Sequence, residues 1–279
     1  MLKQYLLTGD AKARDQCVFI FPSQSSPLTF FSRTDITSAN GIINHLLYIS
    51  SNRSLLYVTD LYSGVDSLPT HRYEHLTCFL PGLFALGART LDLNEKDKER
   101  HMWAAKGLAY TCYISYADQA SGLGPDVLQM AGGAKWVDAL DEWEKKGERA
   151  EVEHPGVVEK RDDERIPPGL GEPPIEGSTT ILDWAEKRAK RDYSNASSGY
   201  LLRPEVGQWL SCRMVILTVS TQTIESLFLL WKTTGEEKWR ERGWQIFQKL
   251  EEHSKTEYGY ANVASVDYSP FRKDDDMPR

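Results

Sequence analysis

An internal echo of one short pattern constrains the fold of this 279-residue chain more than any other feature. Residues 7–14, LTGDAKAR, recur in similar form as residues 233–240, TTGEEKWR. In both copies a helical segment stops at a glycine and the next helix restarts at an acidic residue, which is typical of a helical hairpin. Repeated hairpins stack against one another, so the echo predicts a solenoid or a closed toroid of helices.

Apolar periodicity supports a mainly helical chain. Positions 42, 43, 46, 47 and 49 recur at helical spacing, and residues 75–88 are apolar nearly all round, as buried helices are. The predicted helices cover 41–49, 75–88, 97–117, 223–233 and 236–253. The strand signal is confined to 55–58 and, at most, one apolar segment near 214–219. The pattern therefore predicts an all-α fold.

Charge and hydropathy argue against a nucleic-acid partner and against a membrane span within this chain. A net charge of −7 lacks the clustered excess of lysine and arginine that binding to nucleic acid requires. No apolar run approaches the roughly 18 residues of a membrane span, so no transmembrane segment is expected in this chain. The first 15 residues also lack the continuous apolar stretch of a signal peptide. We therefore expect no nucleic acid as a partner.

The composition changes between residues 132 and 192. Charged residues crowd 138–165, and prolines follow at 167, 168, 173 and 174. This composition favours a solvated loop or linker between helical hairpins. A functional acidic patch is the alternative interpretation.

Residues 17–36 and 206–222 interrupt the helical pattern. Both segments are apolar and sparsely charged, which is unusual for an exposed loop, although a surface loop or short edge strand is the simple alternative. Removing residues 206–222 shortens the separation of Glu205 and Glu225 from 20 positions to three, which places both carboxylates on one helix face. Codons for Val206-Gly207 can begin with GT and that for Gln222 can end in AG. Both segments are therefore interpreted as translated introns.

Joined across this second segment, YLLRPE at 200–205 and TIESLF at 223–228 resemble the signature of glycoside hydrolase family 47, the class I α-1,2-mannosidases. HLTCFLPG at 75–82 and TEYGY at 256–260 are similar to other parts of that family. The resemblance implies that residues 1–279 form part of one glycosidase catalytic domain. It also implies the fold of the family, an (α/α)7 barrel in which stacked helical hairpins close into a toroid. This chain is expected to form an incomplete barrel of that kind.

The resemblance assigns roles to four residues. Glu205 matches the general base of an inverting glycosidase, which activates water opposite the leaving group. Arg203 and His75 match residues that contact the sugar in the reactive subsite. Glu225 matches an acidic residue that contacts substrate and the waters of a Ca²⁺ ion. A structural ion pair of Arg203 with Glu225, and a hydrogen-bonded core histidine at position 75, are the simpler alternatives.

Four cysteines, at 17, 78, 112 and 212, allow three pairings, and the pattern alone does not choose among them. The resemblance implies a Cys78–Cys112 disulfide, with two ordinary buried thiols as the alternative. A disulfide indicates an oxidising lumen, so the endoplasmic reticulum or Golgi is the expected location. Sequons at Asn52 and Asn195 permit glycosylation there, although such short matches are weak signals.

The implied function is removal of terminal α-1,2-linked mannose from oligomannose N-glycans, with Ca²⁺ as cofactor. The resemblance places the general acid and an acidic Asp-x-x-x-Glu pair before Met1, and the Ca²⁺-binding threonine after Arg279. We therefore expect the 279-residue chain by itself to be inactive. A quality-control relative that recognises glycans on misfolded glycoproteins and a non-catalytic helical remnant are the alternatives.

Overall fold

A computed structural model describes residues 27–153, 166–173, 192–202 and 222–274. Six α-helices and one 3₁₀ helix lie in these ranges. They are α1 (Pro27–His45), the 3₁₀ helix (His75–Phe79), α2 (Leu80–Thr90), α3 (Glu95–Ala117), α4 (Trp136–Glu153), α5 (Gln222–Thr234) and α6 (Glu237–His253). The strands are β1 (Leu47–Ser50), β2 (Leu56–Val58), β3 (Arg72–Glu74), β4 (Val127–Met130), β5 (Gly133–Lys135), β6 (Tyr193–Ser197), β7 (Asn262–Val263) and β8 (Lys273–Asp274).

Helices α2, α3, α5 and α6 confirm the helical predictions for the same parts of the chain. Asn94 caps α3, because its side chain accepts a hydrogen bond from the Asp97 backbone N–H. Gly235 separates α5 from α6 with a positive φ of 75°, as expected of a glycine that ends a helix. Helix α2 packs against both α3 and α5. None of the helices in the described ranges is long and apolar enough to cross a membrane.

Three small antiparallel sheets correct the all-α prediction. Their strand orders are β2–β1–β5, β3–β4–β6 and β7–β8. Helix α1 ends at His45, and β1 then occupies part of the predicted helix 41–49. The error has a physical cause: strand β1 pairs on both sides, so its apolar residues are buried without the alternation that identifies a half-buried strand.

The described part of the range 132–192 contains regular structure where a loop was predicted. Residues 133–153 form β5 and helix α4, whose Trp136 and Leu140 are fully buried. Residues 166–173 lie against the core: the Trp136 Nε1–H donates to the Pro168 carbonyl at 2.8 Å, and the Tyr110 hydroxyl donates to the Pro173 carbonyl. A few apolar anchors among many charges suffice for this packing, which average composition does not reveal.

Little of the two interrupting segments lies within the described residues. Residues 27–36 of the first form the start of α1, and Gln222 of the second is the first residue of α5. Residues 17–26 and 206–221, with Cys17 and Cys212, lie outside the described residues. Their interpretation as translated introns therefore stays a prediction.

A buried polar cluster joins the β1–β2 hairpin to the end of α3 and the start of β6. Arg53 is paired with Asp118 at 2.6 Å, and the Tyr193 hydroxyl donates to the same carboxylate at 2.7 Å. Asp192 accepts the Arg53 backbone N–H at 2.7 Å and also the Ser50 hydroxyl. Removing one member of a buried ion pair costs about 3–5 kcal/mol, so this cluster fixes the hairpin rigidly to α3.

Candidate functional site

His75 lies at the junction of strand β3 and the 3₁₀ helix. Its side chain is 93% buried, at 7% relative exposure, and its backbone N–H donates to the Asp126 carbonyl at 2.9 Å. The ring Nε2 forms a 2.5 Å hydrogen bond with the Tyr116 hydroxyl of α3. A buried, hydrogen-bonded ring fits the interpretation of His75 as a core histidine. It fits a sugar-contacting histidine equally well, because such a side chain must be held in a fixed orientation.

The Cys78–Cys112 disulfide lies beside this histidine and confirms the pairing implied by the family resemblance. The two Cα atoms are 5.8 Å apart, within the range that disulfides require. Cys78 follows His75 by three residues, and Cys112 precedes Tyr116 by one helical turn. The disulfide and the His75–Tyr116 contact therefore link the same two elements, the 3₁₀ helix and α3, about one turn apart.

Tyr73 covers the disulfide from the β3 side. Its hydroxyl lies 3.2 Å from the Cys78 sulfur and 2.8 Å from the Cys112 sulfur. Complete burial raises the pKa of Tyr73 well above its usual value, so the phenol keeps its proton at physiological pH.

Helix α5 brings Glu225 to the same region. Glu225 is half-buried in the first turn of α5, and the adjacent Ser226 docks that turn on the 3₁₀ helix. The Ser226 hydroxyl donates to the Cys78 carbonyl at 2.6 Å and accepts the Gly82 backbone N–H at 3.0 Å. Two of the four predicted site residues, His75 and Glu225, thus stand on elements in direct contact.

Tyr200, the first residue of the YLLRPE motif, was missed as a site residue by the sequence analysis. Its ring lies edge-on to His75, with centroids 6.3 Å apart, and edge-on to Tyr116 at 6.2 Å. Backbone bonds with Val263 at 2.8 and 3.0 Å hold it there. Burial raises the pKa of Tyr200 well above its usual value, with a smaller effect of Tyr116 in the same direction. The motif therefore starts beside His75.

Arg203 and Glu205 lie outside the described residues, so their positions and their predicted roles stay predictions. Leu202, directly before Arg203, is anchored where its N–H donates to the Asn262 side chain at 2.8 Å. The motif is thus fixed up to the residue that precedes the predicted sugar-binding arginine. A simple signal could have identified Tyr116 earlier: it lies four residues after Cys112, and so on the same face of α3.

Among the described residues, Glu225 is the one that the family resemblance assigns to a Ca²⁺ ion. Ca²⁺ takes six to eight oxygen ligands in proteins. Within the described ranges, no group of three or more carboxylate, histidine or cysteine side chains is arranged to hold a metal ion. Glu225 supplies a single carboxylate, so a Ca²⁺ shell there would need further oxygen ligands.

The sequence profile of glycosyl hydrolase family 47 matches residues 1–278. The chain belongs to this family. It is 28% identical to a mannosyl-oligosaccharide α-1,2-mannosidase IA of Drosophila melanogaster, over 81% of this chain and 22% of the relative. It is 25% identical to an endoplasmic reticulum mannosyl-oligosaccharide 1,2-α-mannosidase of Schizosaccharomyces pombe, over 81% of this chain and 32% of the relative.

The family membership agrees with the fold of a solved relative. An α-1,2-mannosidase from Trichoderma reesei superposes on 99% of this chain and 41% of its own with a TM-score of 0.56, at 19% identity. The likeness of this chain to α-1,2-mannosidases is therefore present in the fold as well as in the sequence. This chain spans between a fifth and a third of the length of the curated relatives described above.

Proposed function

We propose that this chain forms part of the substrate site of an α-1,2-mannosidase that hydrolyses terminal α-1,2-linked mannose of oligomannose N-glycans with inversion. Membership of glycosyl hydrolase family 47 and the names of its relatives support the reaction and the substrate class. We also propose that the helical pairs belong to an (α/α)7 barrel, which the likeness to the Trichoderma reesei fold supports.

One observation carries the proposal: three separate stretches of the family signature converge. The 3₁₀ helix with His75 meets the Tyr200 start of YLLRPE through a ring contact and the first turn of α5, which carries Glu225, through Ser226. The Cys78–Cys112 bond ties the same 3₁₀ helix to α3. Segments separated by more than 100 residues in sequence meet here. A shared substrate explains why their polar side chains should share one region.

The proposed chemistry divides the work among residues of this chain. Glu205 would take a proton from the attacking water, as the general base of an inverting glycosidase does. Arg203 would donate hydrogen bonds to sugar hydroxyls from a rigid, permanently charged group. His75, held by Tyr116, and Glu225 would orient the same sugar ring.

Ca²⁺ and the secretory compartment belong to the proposal as well. A bound Ca²⁺ would supply charge and oxygen coordination for sugar hydroxyls, and Glu225 would contact its waters. The disulfide supports an oxidising lumen. The Schizosaccharomyces pombe relative is an endoplasmic reticulum mannosidase, which supports that compartment in particular.

Binding of an oligomannose N-glycan to the purified 279-residue chain, with Ca²⁺ present, tests the recognition half of this proposal. We expect measurable binding that Glu225→Gln weakens by roughly tenfold, the effect of losing one hydrogen bond from a charged group. Glu241→Gln, which alters an exposed carboxylate of α6, is the matched control and should leave affinity unchanged. No binding, or equal loss in both variants, would contradict the proposal.

Mannose release in the same mixture tests the catalytic half. We expect any release to depend on Glu205, because an inverting glycosidase needs a base that activates the attacking water. Release that Glu205→Gln abolishes would confirm the chemistry and show that this chain completes its own site. Binding without release separates a recognition role, including the quality-control alternative, from a helical remnant that does neither.

A further inference from the structure

The two glycosylation sequons of this chain have opposite environments. Asn52, in the sequon Asn52-Arg53-Ser54, lies in the turn that joins β1 to β2. Asn195, in the sequon Asn195-Ala196-Ser197, lies in the middle of strand β6. The tripeptides alone rank equally as acceptors. Their structural positions do not.

The Asn52 side chain points into solvent. Ser51, Asn52 and Ser54 are all exposed, and among the described residues no hydrogen bond or ion pair engages the Asn52 amide. The turn beneath it is rigid, because the buried Arg53 guanidinium is paired with Asp118 and its backbone N–H is bonded to Asp192. A glycan on Asn52 would extend away from a fixed platform and would displace no contact.

The Asn195 amide is engaged by the fold. Its Nδ2 group donates to Asp267 Oδ1 at 2.6 Å and to Gln119 Oε1 at 3.1 Å. Asp267 and Gln119 are both almost fully buried. N-glycosylation replaces one of the two Nδ2 hydrogens by a sugar carbon, so it removes at least one of these bonds and places a bulky ring against buried groups. A glycosylated Asn195 is incompatible with this packing.

We propose that Asn52 is an N-linked glycosylation site of the folded protein and that Asn195 is not. The Cys78–Cys112 disulfide supports exposure of the chain to an oxidising lumen, which is where N-glycans are attached. Transfer precedes folding, so both sequons can meet the transferase. The folded population is then expected to carry a glycan at Asn52 only. This assignment does not depend on mannosidase activity.

Expression of the 279-residue chain behind a cleavable secretion signal in a eukaryotic host tests the assignment. Enzymatic deglycosylation in ¹⁸O-water converts each occupied asparagine into a labelled aspartate, which peptide mass spectrometry locates. We expect the label at Asn52 in the lumenal chain. The Ser54→Ala variant should migrate faster on a denaturing gel, by the shift that corresponds to the loss of one glycan. Ser197→Ala, the matched change in the other sequon, should leave the mobility of the folded fraction unchanged.

The label is measured separately in folded chains, which carry the Cys78–Cys112 bond and resist protease, and in unfolded chains. A chain that fails to fold therefore still gives an interpretable result. Lumenal chain without label at Asn52, folded or not, overturns the proposal. Label at Asn195 in chains that carry the Cys78–Cys112 bond and resist protease also overturns it. Label at Asn195 restricted to chains that lack the bond supports it, because that glycan then excludes the native packing.

Discussion

Tyr116 determines how the His75 ring is held. Its hydroxyl forms a 2.5 Å hydrogen bond with His75 Nε2, and its own ring is almost completely buried between His75 and Tyr200. A histidine that contacts a sugar acts as donor or acceptor according to which nitrogen carries the proton. The Tyr116 hydroxyl is therefore a positioning group rather than part of the reacting set.

Tyr116→Phe should release the His75 ring without opening a large cavity. We expect a loss of about 1 kcal/mol in the free energy of unfolding, the usual value of one hydrogen bond. We also expect a clear shift of the His75 ring nitrogens in ¹⁵N NMR spectra, since Nε2 loses its partner. Chemical denaturation and NMR of histidine-labelled protein measure the two effects.

Tyr113→Phe is the matched control for this experiment. Tyr113 lies on the same helix α3, and its hydroxyl donates to Gln245 of α6 at 2.5 Å instead of to His75. A similar loss of stability is expected, with the His75 signals unmoved. Unchanged His75 signals in Tyr116→Phe would show that the contact does not set the state of the ring.

At the scale of elements, the close approach of α2 to α5 places Glu225 beside the 3₁₀ helix. Gly82 makes this approach possible: a Cβ added there would lie 2.9 Å from the Leu229 side chain and 3.0 Å from the Ser226 Cα. The second atom belongs to the backbone and cannot move without shifting α5. A glycine in the first turn of α2 is thus required by packing against α5.

Gly82→Ala should push α5 away from the 3₁₀ helix and cost about 1–3 kcal/mol of stability, as overpacking does. Gly87→Ala, in the same helix, is the matched control, because its Cβ would meet only the Leu91 side chain at 3.4 Å. That change should be neutral or stabilise by up to about 1 kcal/mol through helix propensity. Urea unfolding measures the free energy of unfolding of both variants. Equal changes in Gly82→Ala and Gly87→Ala would refute the packing argument.

The sequence predicts these elements unevenly, for physical reasons. Helices α3 and α6 carry a local 3.6-residue pattern, so their bounds are close to the predicted ones. Strands β4 and β6 pair across more than 60 residues, and β3 has only three residues. No local pattern reveals such pairing, because register is fixed by partners distant in sequence.

The candidate site divides in the same way. His75, Glu225 and the Cys78–Cys112 pair were identified through the family motifs, which carry both residue type and spacing. Tyr116 and Tyr200 become visible only once the rings are seen in contact with His75. Arg203, Glu205 and the interpretation of residues 206–221 remain predictions, since those residues lie outside the described ranges.

At the scale of the whole molecule, two histidines, the buried His101 and the partly buried His71, couple the fold to pH. Burial lowers the pKa of His101, partly offset by Asp97, and the ring Nε2 forms a 2.7 Å bond with the Asn40 side-chain carbonyl oxygen. Nε2 is therefore the donor in this pair. Burial lowers the pKa of His71 too, and the His71 Nδ1 is bonded to the Tyr57 hydroxyl at 2.7 Å. Both rings are held neutral by the native state.

Acid should therefore destabilise the protein in a window set by histidine. In the unfolded chain each ring is protonated near the ordinary histidine pKa of about 6.5. In the folded chain the same rings are protonated only at a lower pH, because their pKa values are lowered. The contribution of these two rings to the free energy of unfolding is fully present above about pH 6.5. It falls as the pH drops toward the lowered pKa values of the folded state. Carboxylates act later: burial alone would raise the pKa of Glu172, but hydrogen bonds from Arg242 and Lys238 lower it overall, so its contribution is lost below about 4.5.

His101→Gln isolates the contribution of one ring. The glutamine amide can still donate to Asn40, but it does not titrate, so the unfolding midpoint in urea should depend less on pH between about 6.5 and 5 than it does in the wild-type protein. His71→Gln should act in the same direction, and the two reductions should add because the rings have separate partners. A His101→Gln variant that folds and keeps the full pH dependence in this window would show that burial of His101 does not couple folding to proton binding.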